Sequence, residues 1–238
     1  MSVARAAAAP ALHTLQWRWL QPTDLGAVEA LHHHSIAGMP APLVKTESHD
    51  FLASVLHGRG QVIGALSGDE LVAYGLLLHQ LLPSDDPRPE LHLPPQQPLA
   101  KLAGASVAPH WRGQRLQHQL IQRRMARADS GAVLFVTAAP GNHASWRSLL
   151  ACGFSVRALR SCYGGFSRYL LAYDPARPTL ANANANANTV FADIDCLDLV
   201  RQQRLIDAGW HGIAPGHAAG SLRWAPRLAT TGALGAQR

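Results

Sequence analysis

The chain has 238 residues, of which 47% are hydrophobic and 15% are charged, so it is long and apolar enough to bury a core. This balance excludes an intrinsically disordered protein, and no apolar run reaches the roughly 20 residues that a membrane-spanning helix needs. The formal net charge of +6 suits a nucleic acid or a small polyanionic ligand equally, so the position of the charge must decide between them.

The N-terminal residues and the three cysteines indicate the compartment. Residues 1–14 are rich in alanine but have no basic cluster, and Pro10 interrupts them, so they predict a disordered extension rather than a signal peptide. Cys152, Cys162 and Cys196 have neither metal-ligand nor disulfide spacing. We therefore expect a protein of the reducing cytoplasm with no structural metal.

Hydrophobic periodicity and turn residues predict a mixed α/β fold. The predicted strands, in chain order, are residues 15–20, 61–66, 71–81, 102–107, 132–137, 154–159, 166–173 and 190–194. The predicted helices start at Thr23 or Asp24 and at Ser48 or Asp50, and cover residues 112–127, 142–151 and 195–208. Residues 68–70 predict a hairpin turn, and the strand after it is apolar on both faces, which predicts a place inside the sheet.

Two irregular segments divide the chain. Residues 83–98 contain six prolines and predict a loop without regular structure. Residues 181–188 repeat an Ala-Asn dipeptide and predict a linker or an exposed loop. The predicted organisation is a main domain at 15–178, a linker at 179–189, a short strand-helix appendage at 190–225 and a tail at 226–238.

A basic turn between a strand and a helix is the most informative segment. Pro109 ends the strand, and Gly113 lets a ligand approach the backbone closely before the helix starts. The first turn of a helix leaves N–H groups unpaired and carries the positive end of the dipole, so it favours a phosphate or pyrophosphate. Arg112 and Arg115 add positive charge beside it.

The helix after this turn is amphipathic and basic. Its apolar stripe at helical spacing consists of Leu116, Leu120, Ile121 and Met125. Arg123, Arg124 and Arg127 are predicted to project from the remaining faces. Taken without the preceding turn, these arginines indicate only a solvated cationic surface.

Two motifs in this region stand in register with each other. The first reads Val107-x-Pro109-x-x-Arg112-Gly113-x-x-Leu116 before a helix, and the second reads Asn142-x-x-Ser145 followed by Leu149-Leu150-x-x-Gly153-Phe154. Together they resemble the acyl-coenzyme A motifs of the GNAT N-acetyltransferase superfamily, over roughly residues 15–174. The resemblance implies a central mixed sheet flanked by helices. It also implies that acetyl-CoA is held by Ser106, Val107, Arg112, Gly113, Gln114, Arg115, Leu116, Gln117, Asn142 and Ser145.

The chain departs from the family pattern at three positions. Arg115 and Gln117 replace the small residues that the family usually has in its loop, and Leu149 stands where many members have a tyrosine acid. The resemblance implies that binding survives, with the second arginine on phosphate. No proton donor to the leaving thiolate is identified, but a thiolate with a pKa of about 8.5 leaves fairly well without one.

The resemblance also implies that an amine attacks the thioester directly, while a backbone N–H at or beside Val107 polarises the carbonyl. The amine must be neutral, so a base or a water chain is required. Glu90 and His92 are candidates in the proline-rich loop, yet loop residues of this kind are commonly only solvated. Tyr163 either reaches the site or supports a hairpin turn, and His143 either reaches it or starts a helix. No catalytic residue is therefore assigned.

Three consecutive histidines, His32 to His34, look like a metal motif. Neighbouring helical positions point about 100° apart, so three such imidazoles do not share one ion easily. We interpret them as a helix-end cluster that interacts with the helix dipole.

Several functions stay open at this point. The first is an acetyl-CoA-dependent N-acetyltransferase acting on a small-molecule or peptide amine, with longer acyl groups, polyamines and protein amines as variants. The second is a non-catalytic acyl-CoA sensor, and the third, a nucleic-acid binder, is disfavoured because the charge is concentrated at one turn and no nucleic-acid motif is present. Residues after Thr189 could cap the sheet, make a homodimer contact or complete the acceptor pocket.

Overall fold

A computed structural model describes residues 15–177 and 189–227, and its described part is built on one sheet of ten strands. The strands are β1 (Leu15–Trp19), β2 (Gly60–Ser67), β3 (Glu70–Leu78), β4 (Leu99–Val107), β5 (Val133–Ala138), β6 (Ser155–Cys162), β7 (Phe166–Tyr173), β8 (Ala192–Asp195), β9 (Trp210–Pro215) and β10 (Ser221–Pro226). Their order in the sheet is β1-β2-β3-β4-β5-β7-β6-β9-β10-β8. Within the described ranges β4 and β5 form the one parallel pair, so the sheet is mixed as expected.

Six helices and several short turns accompany the sheet in the described residues. The helices are α1 (Leu25–Ile36), α2 (His49–Ser54), α3 (Arg88–Leu91), α4 (Leu116–Arg127), α5 (His143–Ala151) and α6 (Leu199–Asp207). Ser48, one of the two predicted starts, caps α2, and Asn142, the first residue of the helix predicted at 142–151, caps α5. The side-chain oxygen of each accepts a bond from the backbone N–H three residues later. None of these helices combines the length and the apolar character needed to cross a bilayer.

Residues on β3 place the helices on opposite faces of the sheet. Tyr74 contacts His32 of α1, whereas the neighbouring Gly75 faces Arg124 of α4. Successive strand residues point to opposite faces, so α1 and α4 cover different sides. The predicted interior place of this strand is confirmed, since β3 pairs with both β2 and β4.

Three expectations lie outside the described residues. These are the N-terminal extension at 1–14, nearly all of the Ala-Asn linker, and the part of the tail beyond residue 227.

In the proline-rich loop, the expectation of wholly irregular structure is wrong locally. A 3-10 turn (Pro83–Asp85) and the single turn of α3 form there, because proline is favourable at the first positions of a helical turn.

The segment after residue 189 continues the same sheet. β9 joins the edge of β6 at the pair Gly212 and Val156, and the buried side chains of Leu222 and Trp224 belong to the same core cluster as those of α5. Strands β9 and β10 were not predicted from the sequence. Both stretches have only six residues and end in proline, and β9 also contains Gly212, so the sequence signal for a strand is weak.

Helix α6 is shorter than the predicted 195–208. Helical spacing predicts an apolar face of Leu197, Val200, Leu205 and Ile206, and this prediction is wrong at the first two positions. Leu197 precedes the helix and is 71% exposed, and Val200 is 67% exposed. The buried residue is Gln202, whose Nε2 donates to the carbonyl oxygen of Asp195 at 2.6 Å. Gly209 ends the helix as predicted, with a left-handed φ of 78°.

A partly buried histidine predicts how the stability of this segment depends on pH. His211 Nε2 lies 3.4 Å from a guanidinium nitrogen of Arg157, and burial, Arg157 and Arg227 lower the pKa of His211 to about 3. As pH falls below about 6.5, the unfolded chain takes up a proton here that the folded chain does not, so stability present above that pH is lost as pH falls towards 3. We expect His211→Gln to remove about 1 kcal/mol of the stability difference between about pH 7.5 and pH 5.5, measured by urea unfolding. His34→Gln, at an exposed position, is the control, and equal pH dependence in both variants would contradict the assignment.

Candidate active site

Strands β4 and β5 diverge in the middle of the sheet. They pair only at Leu99 with Val133, Ala100 with Leu134 and Lys101 with Phe135. Beyond these pairs β4 runs on to Val107 and β5 to Ala138, and the backbone groups that face each other there have no strand partner. An opening lined by unpaired amides and carbonyls therefore lies between the two strands.

A bulge in β4 accompanies this divergence. Gly75 of β3 pairs with Ala105, but Leu77 pairs with Leu102, so β4 contains one residue more than β3 over the same stretch. An extra residue bends a strand and interrupts its ladder. The bulge comes directly after Lys101, the last β4 residue that pairs with β5, and so marks the place where the strands separate.

The side chain of Arg124, on α4, contacts the bulge of β4. The prediction that Arg124 projects into solvent is wrong, because its side chain is 1% exposed. Its Nη1 donates to the carbonyl oxygens of Leu76 at 3.2 Å and Ala103 at 3.3 Å. Gly75 makes room for it, since a Cβ there would lie 2.9 Å from the Arg124 Nε. Burial lowers the pKa of Arg124 to about 10, so the guanidinium stays charged at neutral pH.

The backbone at the end of β4 offers a donor to the opening. The N–H of Ala108 donates to the carbonyl oxygen of Val72 at 2.8 Å, on the β3 side. Because N–H groups alternate between the two edges of a strand, the N–H of Val107 points the other way, towards the opening. Ser106, by contrast, is buried beside Tyr74 on the α1 face of the sheet.

The basic turn after β4 has the form of an anion site. A 3-10 turn (Pro109–Trp111) leads to Gly113, whose φ is 79° and around which a Cβ would meet no atom within 4 Å. Helix α4 begins at Leu116, later than the predicted residue 112, because Arg115 has a left-handed φ of 59° that no helix continues through. The first amide paired in the helix is that of Gln119, bonded to the carbonyl oxygen of Arg115 at 3.1 Å. The amides of the preceding turn, including Leu116 and Gln117, have no side-chain cap.

The two predicted phosphate ligands have different surroundings. Arg112 donates to the carbonyl oxygen of Ser35 at the end of α1, so it also ties α1 to the turn. Arg115 is exposed at the first position before α4, and Gln114 and Gln117 are half-buried around it. Among the described residues, Arg115 is therefore the arginine of this turn without a side-chain partner.

Asn142 and Ser145 form the first turn of α5. Asn142 Oδ1 accepts from the N–H of Ser145 at 3.2 Å, and its Nδ2 lies 3.5 Å from the carbonyl oxygen of Leu43 in the α1–α2 loop. His143 Nε2 contacts Cys196 Sγ at 3.1 Å and so joins α5 to the C-terminal segment. Leu149 is buried, with nothing at this position that could donate a proton.

His32 connects the α1–α2 loop to the sheet. It is buried rather than part of a helix-end cluster, which corrects the interpretation of the three histidines; His33 and His34 are exposed. The backbone N–H of Glu47 donates to His32 Nε2 at 2.9 Å, and His32 Nδ1 lies 2.9 Å from the hydroxyl of Tyr74. Burial, aided by the charges of His33 and Lys45, lowers the pKa of His32, which keeps Nε2 free to accept that bond.

Glu47 lies against the bulge of β4. Its side chain is buried, its Oε2 accepts from Lys45 Nζ at 2.6 Å, and its Oε1 would be 3.5 Å from a Cβ on Gly104. Sequence analysis missed Glu47 because it sits in an irregular loop and reaches β4 only through the fold. The available signal was that it is the single acidic residue between α1 and α2.

A cavity of about 280 Å³ opens beside this loop. The α1–α2 loop forms one wall, with Lys45, and the β6–β7 hairpin forms the other, with Tyr163 and Phe166. Tyr163 occupies the hairpin turn with a φ of 54°, and its hydroxyl lies 3.3 Å from the Thr137 hydroxyl on the unpaired part of β5. Tyr163 is therefore a turn residue whose hydroxyl contacts β5, and the interpretation that it reaches the active site stays a prediction.

Glu90 and His92 do not line this cavity. They line a different one, of about 320 Å³, together with Arg157 and His211. Glu90 accepts a bond from Arg160, which gives its carboxylate a structural partner. The candidates taken from the proline-rich loop therefore lie apart from the cavity beside the opening.

No protein-family model and no curated protein sequence matches this chain. Solved structures do match its fold. The chain is similar to YncA from Salmonella typhimurium, solved with its cofactor acetyl-CoA, at 17% identity and a TM-score of 0.52, over 68% of this chain and 94% of that one. It is similar to an acetyltransferase of the GNAT family from Streptococcus pneumoniae at 12% identity and a TM-score of 0.52, over 67% and 99% of the two chains. It is also similar to NAA60 from Arabidopsis thaliana, solved with a bisubstrate analogue, at 16% identity and a TM-score of 0.54, over 68% and 98%.

These likenesses establish the fold. The described chain has the GNAT acetyltransferase fold, as the two motifs implied. Each match covers nearly all of the solved chain but only about two thirds of this one, so this protein carries residues beyond the shared fold.

Proposed function

We propose that this protein is an N-acetyltransferase that moves the acetyl group of acetyl-CoA to an amine. The observation that carries the proposal is the opening between β4 and β5, which leads directly to the uncapped first turn of α4. One structure with the same fold contains acetyl-CoA and another a bisubstrate analogue, which supports a two-substrate site. The amides and charges present here suit a long ligand with a pyrophosphate at one end.

The phosphate end would be held by the turn before α4. Gly113 leaves space for close approach, and the uncapped amides from Leu116 onwards supply N–H donors at the positive end of the helix dipole. Arg115 adds a charge-assisted bond, and Gln114 and Gln117 provide further donors. The unpaired edge of β4 would pair with the amides of the pantetheine arm.

The chemistry would take place beside the bulge. The N–H of Val107 stabilises negative charge on the thioester oxygen, and Glu47 attracts the acceptor ammonium and takes its proton, directly or through a water. The neutral amine then forms a C–N bond while the C–S bond breaks, and the electron pair leaves on the coenzyme A thiolate. The nitrogen, positively charged after the attack, releases its surplus proton to that thiolate or to water, which gives the neutral amide. Because Leu149 offers no proton, we propose that the thiolate leaves without a protein donor.

A charge reversal in the turn tests the proposed binding site. We expect Arg115→Glu to weaken the binding of acetyl-CoA by about 10- to 100-fold in a calorimetric titration, since it replaces a charge-assisted bond with repulsion. The fold should be retained, because Arg115 is exposed and has no side-chain partner among the described residues. Arg201→Glu on the exposed face of α6 makes the same charge change elsewhere and should leave the affinity unaltered.

The same titration separates the open alternatives. Equal affinity in Arg115→Glu and wild type would remove the site from this turn. Tight binding of acetyl-CoA without thiol release on a broad panel of amines would favour a sensor. The specific argument for that outcome is the buried Leu149, which cannot donate a proton.

A further inference from the structure

Arg168 of β7 is buried in the wall of the 280 Å³ cavity. Its side chain is 4% exposed, and its guanidinium stacks 5.5 Å from the ring centre of Tyr163 and 5.7 Å from that of Phe166. Nη1 donates to the carbonyl oxygen of Ser167 at 3.0 Å. Nη2 is buried and has no hydrogen-bond partner among the described residues, and no carboxylate there forms an ion pair with the guanidinium.

A buried guanidinium nitrogen without a hydrogen-bond partner is unfavourable unless a ligand supplies the missing acceptor. A buried guanidinium with an unmade hydrogen bond has lost water without gaining a partner. The other arginines nearby differ: Arg160, opposite Arg168 in the β6–β7 ladder, donates to Glu90, and Arg124 donates to three carbonyl oxygens. Arg88 also has an unpartnered nitrogen, Nε, but its two Nη atoms are bonded to Asp86 and to the carbonyl oxygen of Gln97. The unmade bond of Arg168 Nη2, in the wall of a cavity, therefore points to a ligand there.

The rest of the cavity indicates where the two ends of that ligand lie. Lys45 Nζ lies 5.0 Å from the ring centre of Tyr163, so Lys45 and Arg168 contact the same aromatic ring. The charge of Lys45 is paired with Glu47, and Arg168 is therefore the uncompensated cation of this wall. Glu47 follows the lining residues Lys45 and Thr46, and its carboxylate accepts from Lys45 and lies beside Gly104 of β4. A ligand with a negative group towards Arg168 and an amine towards Glu47 would satisfy both sides.

We propose that Arg168 binds a carboxylate of the acceptor, so that the acceptor is an amine that also carries a carboxylate, as in free amino acids and short peptides. The inference rests on the proposed acetyl transfer and names its substrate class. A guanidinium fork matches the two oxygens of a carboxylate, and the unpartnered Nη2 supplies the donor for the second bond.

The test compares acceptors that differ only in the carboxylate. The proteinogenic amino acids and their carboxamides are assayed by thiol release with acetyl-CoA. We expect kcat/KM to be at least about tenfold higher for the carboxylate form of the preferred acceptor. In Arg168→Met this preference should disappear through a rise in KM for the carboxylate form, whereas the rate with the carboxamide and the affinity for acetyl-CoA should stay as in wild type. Arg168→Lys, which keeps the charge and loses the fork, should recover part of the preference.

Two further measurements keep the outcome clear. Arg168→Met should not lower Tm, because the wild-type guanidinium is incompletely bonded, and Arg204→Met on the exposed face of α6 is the control for an arginine change away from the cavity. Equal kcat/KM for carboxylates and carboxamides in wild type, or a preference for the phosphate monoester of an amino alcohol, overturns the inference and leaves acetyl transfer standing. Absence of both acetyl-CoA binding and thiol release overturns the proposed function itself.

Discussion

Glu47→Gln should lower kcat by about 10²- to 10⁴-fold, the range expected when a general base is removed. Glutamine has the same shape but neither attracts an ammonium group nor accepts its proton. The backbone contact to His32 does not involve the carboxylate, so the loop should stay in place. Thiol release at saturating acetyl-CoA measures kcat, and a calorimetric titration should give an unaltered affinity for acetyl-CoA.

A pH profile distinguishes a base from a residue that only shapes the loop. If Glu47 takes the proton, the activity of Glu47→Gln should rise steadily as higher pH supplies neutral amine from solution, while wild type should level off earlier. Asp50→Asn is the matched control. Asp50 is an exposed acidic residue in the first turn of α2, so this variant should behave as wild type. A Glu47→Gln enzyme with wild-type kcat would exclude the role proposed here.

The parts of the site that could be predicted from sequence are those fixed by neighbouring residues. The turn from Pro109 to Gly113 and the caps Ser48 and Asn142 depend on contacts within a few positions, and the structure has all of them. The mixed sheet was likewise predicted, because strands and helices alternate with clear periodicity. Local chemistry thus suffices to predict the shape of the turn proposed to bind phosphate.

The acceptor side could not be predicted, because it forms through contacts between distant segments. Glu47 is placed by His32, which contacts Tyr74, and its carboxylate rests on Gly104 of another strand. No spacing along the chain encodes such a set. The isolated position of Glu47 in the α1–α2 loop was the one signal, and it acquires meaning only when β4 is known to pass beneath it.

The same distinction explains the departure at Arg115. The left-handed backbone at this position is one that glycine adopts without strain, which accounts for the small residue usual in the family loop. An arginine here raises the free energy by about 1–2 kcal/mol, and its retention fits a gain in phosphate binding. The sequence shows that an arginine stands in place of a small residue. The φ angle of Arg115 shows that this arginine raises the conformational free energy of the folded chain.

Arg124→Met should lower the free energy of unfolding by about 2–4 kcal/mol, because the carbonyl oxygens of Leu76 and Ala103 would remain buried without a donor. Urea unfolding measures the change. Arg123→Met on the same helix, where the exposed guanidinium stacks 4.2 Å from the ring centre of Trp17, should lose much less. Since Arg124 bridges β3 and the bulge of β4, the folded variant should also bind acetyl-CoA more weakly, whereas the Arg123 variant should not.

Arg168 is a counterpart to Arg124, because a Met variant of each shows what a buried guanidinium contributes to stability. Both arginines are almost fully buried, neither has a carboxylate partner among the described residues, and both are replaced by the same apolar residue. They differ in what the guanidinium bonds: Arg124 Nη1 bonds two backbone carbonyl oxygens, whereas Arg168 Nη2 has no hydrogen-bond partner among the described residues. If burial alone set the outcome, the two variants would lose similar stability. If hydrogen-bond satisfaction sets it, Arg124→Met destabilises the fold while Arg168→Met spares the fold and impairs only the use of carboxylate-bearing acceptors.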